Sequence, residues 1–274
     1  MRFRALDSFA ADLFLTHVPR TPLAACIGLS DESGEPLRLP FRESEHSNVM
    51  IVGRSGAAAF GIFSSMLLDL ASQILTTPDR REIYTTPPFS ILDFCGDEES
   101  RIFTNAAMSL PVPVKLEYAT DTALNTLTDF QFELSRRQRE PSAPRHAKFL
   151  FLCGLQAAHG VRARGFYASP DANPLAARFS QLLRAGAAQS LHTIICCNSF
   201  TNIDLTLADG IDSFDHVIIL NDAGIPSGQI SSIEIESTDQ AWYINVRQNS
   251  VTPLIPFTVP SQAWCDAVIR TLAN

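Results

Sequence analysis

The hydrophobic pattern of this chain alternates between two kinds of segment. Short runs are apolar at nearly every position: Val49 to Val52, Phe89 to Phe94, Phe149 to Cys153 and Leu191 to Cys197. Turn-forming residues bound them, which predicts strands buried on both faces, as in a parallel sheet. Between them lie longer stretches with apolar residues at helical spacing. Ile62, Phe63, Met66, Leu67, Leu70 and Ile74 predict a helix over 57–75. Leu124, Leu127, Phe130, Phe132 and Leu134 predict the buried side of another over 120–138, ended by Pro141 and Pro144. Asn173-Pro174 opens a third over 173–189, with an N-cap residue followed by proline at the first helical position.

The ends of the chain are less regular. Phe9, Leu13 and Phe14 suggest a short helix within 1–25, before a turn at Pro19 and Pro22. Ile27-Gly-Leu29 and Leu37-Arg-Leu-Pro-Phe41 flank the turn formers Asp31-Glu-Ser-Gly34 and predict a hairpin over 26–41. A loop holding Leu110-Pro-Val-Pro-Val114 leads into helix 120–138, and 160–172 reads as an exposed loop. A strand over 214–220, late β structure at 233–235 and 242–246, and a closing helix over 261–272 complete the pattern. Strands alternate with helices from 48 to 220, which means βαβ units: an α/β fold, its mainly parallel sheet covered by helices on both faces. No linker stands out, so 1–274 is read as one domain, with hairpin 26–41, core 48–220 and β/α additions over 221–274.

Composition narrows the function. The net charge is −8, a poor basis for sequence-independent DNA binding, which rests on Lys and Arg neutralising phosphates. The dense basic stretch Arg136-Arg137-Gln-Arg139 reads as a solvated helix end. None of the six cysteines forms a C-x-x-C pair, so the sequence gives no structural zinc site, and a reducing, cytoplasmic setting is expected. No signal-peptide pattern and no membrane-spanning run is read from the sequence.

The candidate chemistry lies at Gly53-Arg54-Ser55-Gly56-Ala57-Ala58-Ala59-Phe60, where a strand meets a helix through glycines. That layout places backbone N–H groups and a helix N-terminus around a phosphate. Counted as G-x-x-x-x-G-K-[ST] from Gly53, the second glycine falls on Ala58, the lysine on Ala59 and the hydroxyl on Phe60. A dinucleotide-binding reading has the same frame, but the acidic residue it needs falls near Gln73. A hydrolase reading would use Ser55, without the G-x-S-x-G spacing.

The stretch Leu182 to Asn198 resembles the late helix and strand of FtsK/SpoIIIE-type motor ATPases, approximately L-I-R-x-G-R-A-x-G-I-H-L-I-L-x-T-Q. Arg184, Gly186, Ala188, Leu191, His192, Ile194 and Ile195 match in register; Ala187 replaces the second arginine and Asn198 stands at the glutamine. The run from Ile27 to Gly53, Ile91-Leu-Asp93 and Leu134-Ser-Arg-Arg137 are similar to further segments of that family. The resemblance covers roughly 27–220 and implies a RecA-like P-loop core. It places Cys153 and Gly154 where the Walker B Asp-Glu pair stands in working members. A thiol suits magnesium poorly and glycine carries no base.

What the resemblance implies is a degenerate site, with no catalytic residue and no metal ligand assigned. No cofactor is firm, and ATP at weak affinity is the one candidate. The module would assemble with copies of itself or with other parts of a DNA or protein translocase. The alternative is an active translocase ATPase with unusual residues. Asp93, Arg184, His192 and Asn198 are the further candidate contacts.

Overall fold

A computed structural model of the chain describes residues 3–8, 22–54, 56–76, 86–118, 120–143, 145–162, 173–207, 209–220 and 240–273. The expected helix around Phe9 to Phe14, the β structure at 233–235, residue Ser55 and most of the loop 160–172 lie outside them.

Twelve strands and six α-helices are found among the described residues. The strands are β1 (Arg4–Ala5), β2 (Ala24–Ser30), β3 (Pro36–Pro40), β4 (Val49–Val52), β5 (Phe89–Asp93), β6 (Val114–Glu117), β7 (Lys148–Cys153), β8 (Leu191–Cys197), β9 (His216–Ile219), β10 (Ala241–Asn245), β11 (Ser250–Ile255) and β12 (Phe257–Thr258). The helices are α1 (Gly56–Leu75), α2 (Glu98–Met108), α3 (Thr120–Arg139), α4 (Pro174–Ala185), α5 (Phe200–Thr206) and α6 (Gln262–Ala273).

Ten strands form one sheet in the order β3-β2-β11-β10-β9-β4-β8-β7-β5-β6. The run from β9 to β6 is parallel throughout. The remaining four strands form an antiparallel wing beside β9, carrying the predicted hairpin at its edge. The fold is therefore α/β with a mostly parallel sheet, as the apolar runs predict.

Period-two alternation explains the two-sided core. Val49, Ile51, Phe89, Ile91, Phe149, Phe151 and Ile194 pack beneath α1, α2 and α6. Met50, Val52, Leu92, Leu150, Leu152 and Ile195 pack beneath α3, α4 and α5 on the opposite face. Within α3, Leu127, Phe130 and Leu134 are buried, but Phe132 is 70% exposed. Two residues beyond Phe130, it points about 200° round the helix, so its assignment to the buried side fails. Arg137, read as solvated, is also buried: it donates to the carbonyls of His146, at 2.8 Å, and Gln189, at 2.6 Å, and pairs with Glu133.

Helix α1 is long and apolar enough to cross a membrane, yet it is buried from Ala58 to its end. It also carries a polar stripe at four-residue intervals. Ser65 Oγ donates to the Cys26 carbonyl at 2.8 Å, and Asp69 Oδ2 accepts from the Cys26 N–H at 2.9 Å and from Arg38 Nε at 3.0 Å. The Gln73 amide both accepts from the Ala24 N–H, at 3.2 Å, and donates to the Ala24 carbonyl, at 2.6 Å. Strand β2 pairs with β11 only at Leu29 and Ser30. Where that ladder stops, the side chains of α1 satisfy the edge of β2, as buried backbone groups require.

Candidate functional site

The site is built at the carboxyl ends of the parallel strands, where open α/β sheets bind ligands. Strand β4 runs into Gly53, whose N–H donates to the Cys197 carbonyl at 2.9 Å and extends the ladder with β8. Gly53 has φ +151°, outside the usual range of L side chains. Arg54 is exposed, and α1 starts at Gly56. The first N–H groups of α1 have no intrahelical acceptors, which gives this corner a positive partial charge. Ala57 is half-buried, while Ala58, Ala59 and Phe60 are buried. The Phe60 ring is turned into the core against Phe63 and Phe103, at centroid distances of 5.9 and 6.0 Å.

Beside this corner the strands set three side chains in one row on the α1 face. Asp93 pairs with Cys153, and Leu152 pairs with Ile195, so the next residues along, Cys153 and Cys196, are also neighbours. Cys196 in turn pairs with Ile51. Asp93 Oδ1 accepts from the N–H groups of Cys95, at 2.9 Å, and Gly96, at 3.3 Å, which fixes the turn after β5. Its Oδ2 is buried with no hydrogen-bond partner among the described residues. Cys153 is fully buried, and burial pushes its thiol well up. The hydrogen bond to Cys95, followed by burial, does the same for Cys196.

Gly154 sits at φ +80°. A Cβ there would lie 2.7 Å from Cys95 Sγ, closer than real Cβ contacts allow. The Gly154 N–H donates to Cys196 Sγ at 3.2 Å. A thiol thus fills the space a side chain at 154 would need. Asn198 is close by: its N–H donates to Gln156 Oε1 at 3.2 Å and its Oδ1 accepts from Asn202 Nδ2 at 2.7 Å.

The mouth of the site is acidic. Asp97 caps α2, accepting from the Ser100 N–H at 2.8 Å, and Glu98 and Glu99 fill its first turn. The Glu99 carboxyl carbon lies 3.9 Å from where a Cβ on Gly56 would stand. That carboxylate faces the start of α1, which is where an incoming phosphate would have to go. Among the described residues no group of three His, Cys, Asp or Glu side chains is arranged to hold a metal ion.

Two candidates lie elsewhere. Arg184 pairs with Asp209, and His192 is buried near the amino end of β8, its Nδ1–H donating to the Ser47 carbonyl at 3.0 Å. His192 stacks on Phe149 at 5.5 Å. Both are separated from Gly53 by nearly the length of a strand. Gln73, where a dinucleotide site needs an acid, is buried against β2. The sequence reading passed over Cys95, Glu99 and Gln156. The signal for the first two is the start of α2, Asp97-Glu98-Glu99, an N-cap followed by acids in the first turn.

No family model and no curated protein matches the chain by sequence. Solved structures do. The cytoplasmic domain of the type VII secretion ATPase EccC from Thermomonospora curvata superposes with a TM-score of 0.61 at 17% identity, covering 99% of this chain and 34% of that one. EssC ATPases 2 and 3 from Geobacillus thermodenitrificans give 0.57 at 12% identity over 94% of this chain and 51% of that one. The pCW3 conjugation coupling protein TcpA gives 0.61 at 11% identity, over 95% and 72%. The fold is that of these three proteins. This RecA-like fold extends over almost the whole chain, which spans about a third to a half of the secretion ATPases it matches.

Proposed function

We propose that this chain is an FtsK/SpoIIIE-type domain with a degenerate nucleotide site, serving as an assembly or regulatory module of a larger cytoplasmic translocase that moves DNA or protein. The observation that carries the reading is the place of Cys95 Sγ, 2.7 Å from where a Cβ on Gly154 would stand. The place of a water-polarising glutamate is occupied by a neighbouring thiol, and the backbone there has a conformation that suits glycine. Ala59 and Phe60 add to it, since neither can neutralise a γ-phosphate nor ligate magnesium, and both are packed into the core. Glu99 adds an opposing charge at the helix start. The proposed partners are copies of the chain or other domains of the translocase, and the acidic balance argues against direct DNA binding.

The test is to follow phosphate release and thermal unfolding with ATP and Mg²⁺, and to measure assembly by light scattering. The expected result is no turnover, with a homo-oligomer or a complex with other translocase domains in solution. Turnover that disappears in an Asp93→Asn variant would sink the proposal. Tight, salt-sensitive DNA binding would overturn the exclusion of nucleic acid.

A further inference from the structure

The sheet's carboxyl edge carries a second chemistry that owes nothing to nucleotides. Six cysteines are present and all are free. Cys26 and Cys265 lie elsewhere in the core, and Cys197 faces the opposite side of the sheet. Cys95, Cys153 and Cys196 come together beneath the start of α1. The sulfurs of Cys95 and Cys196 both lie beside Gly154: Cys95 Sγ is 2.7 Å from where a Cβ on it would stand, and Cys196 Sγ accepts from its N–H at 3.2 Å. The Cys95 side chain is the first cause that pushes the Cys196 thiol up, ahead of burial. Cys95 is the partly exposed member, while Cys153 is sealed.

We propose that Cys95 and Cys196 form an oxidation site that closes to an intramolecular disulfide when the protein meets a small-molecule disulfide such as oxidised glutathione. Solvent reaches Cys95 first. Its thiolate attacks one sulfur of the small disulfide, a protein–small-molecule disulfide forms, and one small thiolate leaves. The Cys196 thiolate then attacks Cys95 Sγ, the mixed disulfide breaks, and the second small thiolate departs. Two protein thiols are oxidised, one small disulfide is reduced, and the two protein protons end on the two released thiols. The Gly154 N–H already points at Cys196 Sγ, where it stabilises the attacking thiolate. The closed bond ties the turn before α2 across β7 to the end of β8, and so fixes Glu99 against the start of α1.

The experiment treats the native, full chain with oxidised glutathione and maps it by non-reducing digestion and mass spectrometry. The expected product is a peptide linking Cys95 to Cys196, two hydrogens lighter than the thiol pair, with a raised melting temperature that dithiothreitol reverses. Cys95→Ser and Cys196→Ser should each abolish it, and Cys153→Ser should leave it intact. A stable glutathione adduct at Cys95 with Cys196 still free, or a cross-link through Cys153, would overturn the proposal. The wild-type peptide map decides this even if a serine variant fails to fold, and it is independent of whether the chain binds ATP.

Discussion

Phe60 and Phe103 stand 6.0 Å apart, centroid to centroid, in the core between α1 and α2. The position where a P-loop carries its hydroxyl is thus a packing residue. Phe60→Ser should destabilise the protein by about 4 kcal/mol, the cost of emptying a buried aromatic site. It should not create magnesium-dependent nucleotide binding. Denaturant unfolding and an ATP thermal shift on the same variant check both halves.

Gly61 lets α1 press against β12. A Cβ at 61 would lie 2.0 Å from the Phe257 carbonyl oxygen, which is backbone and has little freedom to yield. Gly61→Ala should lower stability at or beyond the upper end of the ~1–3 kcal/mol that overpacking costs. The same change at Gly34, where nothing lies within 4 Å of an added Cβ but φ is +70°, tests strain without collision. Gly34→Ala should cost about 1 kcal/mol.

Asn48 ties three elements together from one buried side chain. Its Nδ2 donates to Leu183 O at 2.8 Å and Ser213 O at 3.1 Å, and its Oδ1 accepts from the Thr193 N–H at 3.0 Å. Asn48→Leu would strand all three backbone groups, at about 1–3 kcal/mol for each one that finds no water. Chemical denaturation should place the variant among the least stable single substitutions in the chain.

Stability should fall in acid in two stages. Burial holds His192 and His216 down to about 4, so the folded protein keeps them neutral. The unfolded chain takes up those protons near pH 6.5, and stability is lost as pH falls from there toward 4. The size is on the order of 3 kcal/mol for each histidine by linkage. Glu133, held to about 2 chiefly by its hydrogen bond to Arg136, adds a second loss below pH 4.5. Melting curves from pH 8 to 3 should show both limbs, and His192→Gln with His216→Gln should flatten the first.

The central strands and long helices were legible because burial on both faces writes itself as uninterrupted apolar runs. Strand β11 was not, because Pro253 breaks its pattern; the residue sits opposite Trp242 in the ladder. Helix α2 was missed for a different reason. It buries little beyond Phe103, Ala106 and Ala107, so its signal lay in the Asp97 cap rather than in periodicity. The resemblance around Gly186 has a physical cause: a Cβ there would fall 2.4 Å from Leu182 O and 2.8 Å from Leu191 O. The site was half legible. Motif spacing pointed to Gly53 and the family resemblance to Cys153 and Gly154, but Cys95 and Glu99 enter from a turn and a helix that only the fold brings near.

The polar stripe of α1 has a mechanical consequence. Ser65, Asp69 and Gln73 grip the backbone of β2 along just over two turns, so the helix cannot roll or slide without breaking them together. The wing and the glycine corner are coupled as the two arms of a crank. A load placed on the hairpin would arrive at Gly56 as displacement of the whole helix, with little lost to bending in between.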